Sequence, residues 1–305
     1  MTQRKLDSFA AAYARSMKPR GMDGPIDLYL YRPIGFAIAW LLSFTKASPN
    51  QVTALSIAVG LGAGLAAALG GPPAFLACAI LFQLANCLDC ADGQLARLTG
   101  RRSELGRVID GLADLAVNLS VFLGVLAGLL RSGAPAVPTA IMVVAGGFAK
   151  IASCMYYDRA ITRYEATMSG AVEGAGTASE LASARERAAA ARGSARLFWI
   201  IYAHYVRLQE WGEAKTRREG GSPKPLALGE ASKRAYSEAM LPLLSLWSFT
   251  GPSASVLYFL SFAALGRIDL FFKTCLFLAL ASVGLLALQQ LVEQRLRAEL
   301  GRERA

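Results

Sequence analysis

Four aspartates, Asp89, Asp92, Asp110 and Asp114, sit at the edge of strongly apolar sequence, and that placement requires a chemical reason. Asp89 and Asp92 are three apart and Asp110 and Asp114 four apart, so on helices each pair projects from one face. Between the pairs, Thr99, Gly100, Arg101 and Arg102 have the composition of a tight helix–helix turn. Two antiparallel helices joined there would bring all four carboxylates to one level. Like charges that close stay ionised together only if cations compensate them. Oxygen ligands of this kind suit Mg²⁺, Mn²⁺ or Ca²⁺ rather than Zn²⁺. Gly93 leaves room for a ligand to approach the backbone, and Gly106 would do the same on the second helix. Arg97, about two turns beyond Asp89, could pair with a phosphate. The bland alternative is an exposed hairpin with solvated carboxylates, which the cost of polar groups at a membrane edge disfavours.

The elements that must position these residues are membrane spans. The 305-residue chain is 54% apolar with a mean hydropathy of +0.38, above the ~45–50% apolar content of ordinary soluble domains. The composition predicts an all-α integral membrane protein of six transmembrane helices, with an N-terminal interfacial helix and a cytoplasmic insert. No charged residue occurs between Ala47 and Leu88, and Gly70-Gly71-Pro72-Pro73 divides this run into spans of 51–70 and 74–98. A third span, 104–130, opens with Gly106, Asp110 and Asp114, and a fourth runs to Tyr157. The fifth lies within 239–266, interrupted at Gly251-Pro252, and the sixth covers 270–292. The run from Ile34 to Phe44 is short against the ~20 residues a span needs. It reads as interfacial, with Trp40 and Phe44 at headgroup level; a first span is the alternative. The expected domains are therefore 1–46 (cytoplasmic and interfacial helices), 47–157 (spans one to four with the 89–114 motif), 158–235 (polar insert) and 236–305 (spans five and six with a basic tail).

The formal charge of +10 raises nucleic acid as a partner, but the basic residues cluster beside apolar segments, where anionic lipid and topology account for them. Lys and Arg concentrate in the N-terminal region, the 98–103 turn, the insert and the tail. The opposite connections carry only Arg131 and Arg267, with Asp269. By the positive-inside rule both termini and the carboxylates face the cytoplasm of a multi-pass inner (cell) membrane protein. No signal peptide is visible, the first thirty residues being polar. Cys78, Cys87, Cys90, Cys154 and Cys275 are scattered; Cys87 and Cys90 bracket Asp89, and small packing residues is the preferred reading over a redox or zinc pair. His204, the only histidine, lies in an aromatic stretch of the insert and reads as packing rather than as a base.

From Asp89 to Asp114 the pattern is Asp, two residues, Asp-Gly, two, Ala-Arg, eight, Gly, three, Asp, three, Asp. Its fixed positions Asp89, Asp92, Gly93, Ala96, Arg97, Gly106, Asp110 and Asp114 together resemble the signature of the CDP-alcohol phosphotransferase (CDP-alcohol phosphatidyltransferase) family. The similarity extends to Pro49-Asn50, Thr53 and the six-span layout, but not to the segment after Asp158. It implies transfer of a phospho-alcohol (phosphatidyl or similar) group from a CDP-linked donor to an acceptor hydroxyl, with release of CMP, in phospholipid biosynthesis. By the same resemblance Asp89, Asp92, Asp110 and Asp114 would hold a pair of Mg²⁺ or Mn²⁺ ions, and Asp114 would be the general base. Gly93, Ala96 and Arg97 would line the cytidine and phosphate pocket. Arg101, Arg102 and Arg107 read as topology determinants or lipid headgroup contacts or, as in the inositol-phosphate branch, as acceptor-phosphate contacts. The donor is CDP-diacylglycerol or a soluble CDP-alcohol; Pro49 to Thr53 and Leu81-Phe82-Gln83 are similar to the inositol-phosphate branch. The expected partners are that donor, a hydroxyl acceptor, membrane lipids and a second copy in a homodimer, with no nucleic acid.

Two rivals come from other classes. A divalent-metal transporter would distribute acidic residues through the membrane depth, whereas these sit at one edge with a glycine beside each pair. A catalytically inactive scaffold would recruit partners through the insert; the complete motif argues against it.

Overall fold

The computed structural model describes residues 3–18, 23–100, 104–169, 175–193, 196, 199–200, 203, 207 and 230–302, with 3–8, 104–113, 175–180, 230–231 and 297–302 described by backbone alone. The helices are α1 (Gln3–Ser16), α2 (Arg32–Ser43), α3 (Pro49–Ala68), α4 (Pro72–Thr99), α5 (Glu104–Arg131), α6 (Ala136–Ser169), α7 (Ala175–Ala190), α8 (Glu230–Trp247), α9 (Pro252–Ala264) and α10 (Ile268–Arg302). Among the described residues there is no strand, and the chain is an all-α integral membrane protein. Five helices are long and apolar enough to cross a bilayer, six if α8 and α9, bent by 43° at Gly251-Pro252, form one broken span. At 12 residues α2 reaches only ~18 Å, too short to cross. The helix that carries the fourth span, α6, continues unbroken past Tyr157 to Ser169.

The chain forms two compact units, residues 1–157 with 244–287, and residues 158–243 with 288–305. In the first, α3 is the spine. It starts where Ser48 caps it, the Ser48 hydroxyl accepting from Gln51 N and Gln51 Oε1 accepting from Ser48 N, with Pro49 in the first turn. Its apolar surface offers no preferred side, so small residues decide what it touches. Gly60 lies against Val117, Gly64 against Ser120 and Gly124, and Ala67 against Gly128. A Cβ on Gly124 would fall 2.0 Å from the Gly64 carbonyl oxygen. This is the small-residue packing by which membrane helices reach backbone contact. On its other side α3 packs along α4, where the Ser56 hydroxyl donates to the Ala85 carbonyl at 2.9 Å.

The core beyond this interface is a chain of edge-to-face or tilted phenylalanines, Phe82, Phe259, Phe271, Phe272 and Phe122, with centroids 5.0–6.2 Å apart. At the N-terminal side, α1 and α2 are zipped by Phe9, Tyr13, Phe36, Trp40 and Phe44. A π-helical turn, Asp27–Tyr31, then ties this region to α4 and α9. Tyr31 Oη accepts from Gln83 Nε2 at 2.8 Å and donates to the Ser253 carbonyl at 3.2 Å, and Ser253 Oγ donates to Asp27 Oδ1 at 2.6 Å. The Arg32 guanidinium grips Asp23 with two hydrogen bonds of 3.1 and 2.7 Å, both side chains 7% exposed.

The second unit is held by polar contacts: Arg163 pairs with Glu293, Gln289 Nε2 donates to Glu293 Oε1 at 3.2 Å, Tyr164 stacks on Tyr236, and the Arg187 guanidinium lies over the Trp199 ring. His204 and the Arg101-Arg102 turn lie outside the described residues.

Candidate active site

Asp89 and Asp92 lie in the C-terminal half of α4, which ends at Gly100 in a left-handed C-cap (φ +68°), a conformation glycine adopts without strain. Asp89 is half-buried and Asp92 buried. Asp92 is held from the spine: the Thr53 hydroxyl of α3 donates to Asp92 Oδ2 and also lies 3.2 Å from the Pro49 carbonyl. A carboxylate buried at such a place requires a donor, and Thr53 supplies one. The residue stands in the Pro49–Thr53 stretch, but its pairing with Asp92 is not written in local spacing, since 39 residues separate them.

Asp114 is exposed on α5, and its backbone carbonyl accepts from Asn118 Nδ2 at 2.7 Å. Lys150 of α6, 7% exposed, donates to Asn118 Oδ1 at 2.8 Å and so braces α5 one turn beyond Asp114. Asp110 lies one turn earlier on the α5 backbone; its side chain, and those of Gly106's neighbourhood including Arg107, lie outside the described residues.

The levels of the two carboxylate pairs follow from the contacts of α3. The Gly60–Val117 and Gly64–Ser120 contacts run α5 parallel to α3, so counting three residues back from Val117 sets Asp114 beside position 57. The Thr53–Asp92 and Ser56–Ala85 contacts run α4 antiparallel, so position 57 meets the stretch from residue 84 to residue 88. Asp92 and the Asp110 backbone therefore meet the same position of α3, 53, while Asp89 stands one to five residues, ~1.5–7.5 Å of rise, from the level of Asp114. The shared spine, rather than direct α4–α5 packing, sets this register among the described residues.

Gly93 and Ala96 are half-buried on α4. A Cβ on Gly93 would meet the Arg97 guanidinium nitrogens at 3.6 and 3.7 Å, so the space left by the glycine is the space over which the guanidinium lies. Arg97 Nε donates to the Ser16 carbonyl at the end of α1. Asn86 shares the Asp89 face one turn deeper, and its amide nitrogen is buried without a hydrogen-bond partner. Sequence reasoning passed over Asn86 and Gln94, whose only signal is a polar side chain within an otherwise apolar span.

Among the described residues no three His, Cys, Asp or Glu side chains cluster as metal ligands; the described part of the set is Asp89, Asp92 and Asp114. The donor set is all oxygen, with an unused amide donor beside it, and it fits a hard divalent cation bearing an oxyanion. All five cysteines are free thiols.

Residues 46–211, just over half of the chain, match the family model described as CDP-alcohol phosphatidyltransferase. The match reaches past Asp158 into the insert, farther than the motif and span layout indicate. The chain is 37% identical over 105 residues to a bifunctional IPC transferase and DIPP synthase of Thermococcus kodakarensis, covering 34% of this chain and 23% of the relative. To the protein of that name in Rubrobacter xylanophilus it is 36% identical over 133 residues, 40% of this chain and 29% of the relative. To that of Archaeoglobus fulgidus it is 31% identical over 116 residues, 37% and 23%. The matches thus span about a quarter of each relative's length.

Proposed function

Because this chain belongs to the CDP-alcohol phosphatidyltransferase family, we propose that it is a membrane CDP-alcohol phosphotransferase whose reaction is centred on Asp89, Asp92, Asp110 and Asp114. The acceptor oxygen attacks the donor phosphorus, the bond from that phosphorus to the CMP oxygen breaks, and CMP leaves. Asp114, exposed on α5, takes the acceptor proton as the new bond forms. Asp92 is oriented by the Thr53 hydroxyl, so its carboxylate is in place before substrate arrives. Arg97, laid over Gly93, carries a positive charge toward the donor phosphates, and Asn86 offers its free amide hydrogens from the same face. Mg²⁺ or Mn²⁺ held by Asp89, Asp92, Asp110 and Asp114 would supply charge neutralisation of the pyrophosphate. Gly106 and Ala96 complete the nucleotide pocket in this reading.

The observation that carries the proposal is that α3 packs against both α4 and α5, with Asp92 and the Asp110 backbone beside its position 53. The relatives are named for two activities, and only about a quarter of each is matched, so one transferase activity is proposed here. The similarity of Pro49 to Thr53 and of Leu81-Phe82-Gln83 to the inositol-phosphate branch favours a polyol-phosphate acceptor, for which Arg101, Arg102 and Arg107 are the candidate contacts. A role in phospholipid biosynthesis, a cytoplasmic site in the inner membrane and a homodimer complete the proposal.

The test is CMP release by purified protein with Mg²⁺ or Mn²⁺, over CDP-diacylglycerol and soluble CDP-alcohols with alcohol and polyol-phosphate acceptors. Metal-dependent CMP formation matched by product identifies the pair; metal binding without CMP from any pair would favour transport or scaffolding.

A further inference from the structure

Gln94 is fully buried two residues past Asp92, inside the motif but at a position the motif leaves open. Its Nε2 donates to Ser16 Oγ at 3.3 Å and to the Arg32 carbonyl at 3.2 Å. Its Oε1 has no hydrogen-bond partner and faces the bare Cα of Gly35, where a Cβ would come within 2.6 Å. Turning the amide over would set its oxygen against the Arg32 carbonyl, so the side chain is held for its donors at the cost of a stranded acceptor. Those donors serve the end of α1. Ser16 is itself fully buried; its hydroxyl donates to the Tyr13 carbonyl at 2.7 Å while accepting from Gln94, and its carbonyl accepts from Arg97 Nε. Two helix C-termini, those of α1 and α4, thus converge on one guanidinium, where their partial negative charge favours a cation. With Nε committed to Ser16, the guanidinium is fixed across Gly93, its outer nitrogens lying over the glycine.

We propose that Ser16 and Gln94 are positioning residues that set the Arg97 guanidinium for the donor phosphates, making the end of α1 part of the active site. The inference rests on the reading of Arg97 given above, and it extends that site to a helix about eighty residues away in sequence. Neither residue touches substrate; both act through Arg97.

The test is a double-mutant cycle on CDP affinity, measured by calorimetry on the full-length protein with Mg²⁺, together with the thermal midpoint. Gln94→Leu and Ser16→Ala are each combined with Arg97→Ala. We expect each single positioning variant to weaken CDP binding about fivefold to tenfold at unchanged stoichiometry, the loss typical of one neutral hydrogen bond. In the Arg97→Ala background the same changes should do nothing further. Ser16→Ala removes one hydroxyl and leaves the helix intact, so it carries the test if Gln94→Leu fails to fold. If Arg97→Ala weakens binding and the Ser16 and Gln94 effects add to it in full, or appear only as a lower thermal midpoint, the inference is overturned and the function above stands. If Arg97→Ala leaves CDP affinity unchanged, the role given to Arg97 falls, and this inference with it.

Discussion

Asp92 is the residue on which the candidate site depends most, because it is buried and its described donor comes from another helix. Thr53→Val keeps the shape and removes the hydroxyl, leaving a buried carboxylate oxygen short of a partner. The loss of ~1–3 kcal/mol expected for such a group corresponds to about fivefold to 150-fold in Mn²⁺ affinity, while Thr53→Ser should retain most of it. Titration of Mn²⁺ into both variants checks this. Asp27 presents a different balance. Burial raises its carboxyl above the ordinary carboxylate value, the Ser253 hydrogen bond opposes this, Asp23 adds to it, and Arg32 and Lys18 oppose it. A raised folded value means that the group favours the fold while protonated and that this contribution is lost as pH rises through that value. Asp27→Asn keeps an acceptor for Ser253 and removes the charge. The variant should melt higher than the parent at pH 7, with the gap closing as pH falls toward the ordinary carboxylate value. A parent that melts higher than the variant at pH 7 would contradict the balance of terms.

At the scale of elements, α3 is the helix against which both carboxylate-bearing helices, α4 and α5, are set. Gly124→Ala would drive a methyl to 2.0 Å from the Gly64 carbonyl, backbone that cannot turn aside. The spine and α5 must separate, at about 1–3 kcal/mol of stability, and CMP release should fall at least tenfold as the pairs lose register. Gly62→Ala on the same helix meets nothing within 4 Å and should be neutral or stabilising by up to ~1 kcal/mol. Thermal midpoints and CMP release of the two variants separate packing from glycine loss as such. How far this could be read in the sequence differs from element to element. The spans and both aspartate pairs were legible because apolar length and three-or-four spacing are local. The spine was not, since α3 is apolar on every side and only Gly60 and Gly64 mark which face meets α5. Nor was the Thr53–Asp92 contact, which joins residues on separate helices, nor the run of α6 past Tyr157, where a polar composition conceals a continuous backbone helix. Arg97 was legible as a cation near the motif, but not as a side chain anchored to α1.

For the whole molecule, the distribution of Lys and Arg predicts that the α1 end and the carboxylates share the cytoplasmic side, with Ser132 opposite. A membrane-impermeant thiol reagent should label Ser132→Cys in intact cells and Lys18→Cys only after permeabilisation; the reverse pattern would invert the topology. That side is where a soluble nucleotide donor or polyol phosphate would arrive. The central claim is that α4 and α5 contribute to a single cation site. Mn²⁺ binding to detergent-purified protein, followed by electron paramagnetic resonance in the parent, Asp92→Asn and Asp114→Asn, tests it most directly. The account predicts that either substitution alone weakens binding at least tenfold, because the two helices share the ion. Full-affinity Mn²⁺ binding in both variants would show that the carboxylates do not form one site.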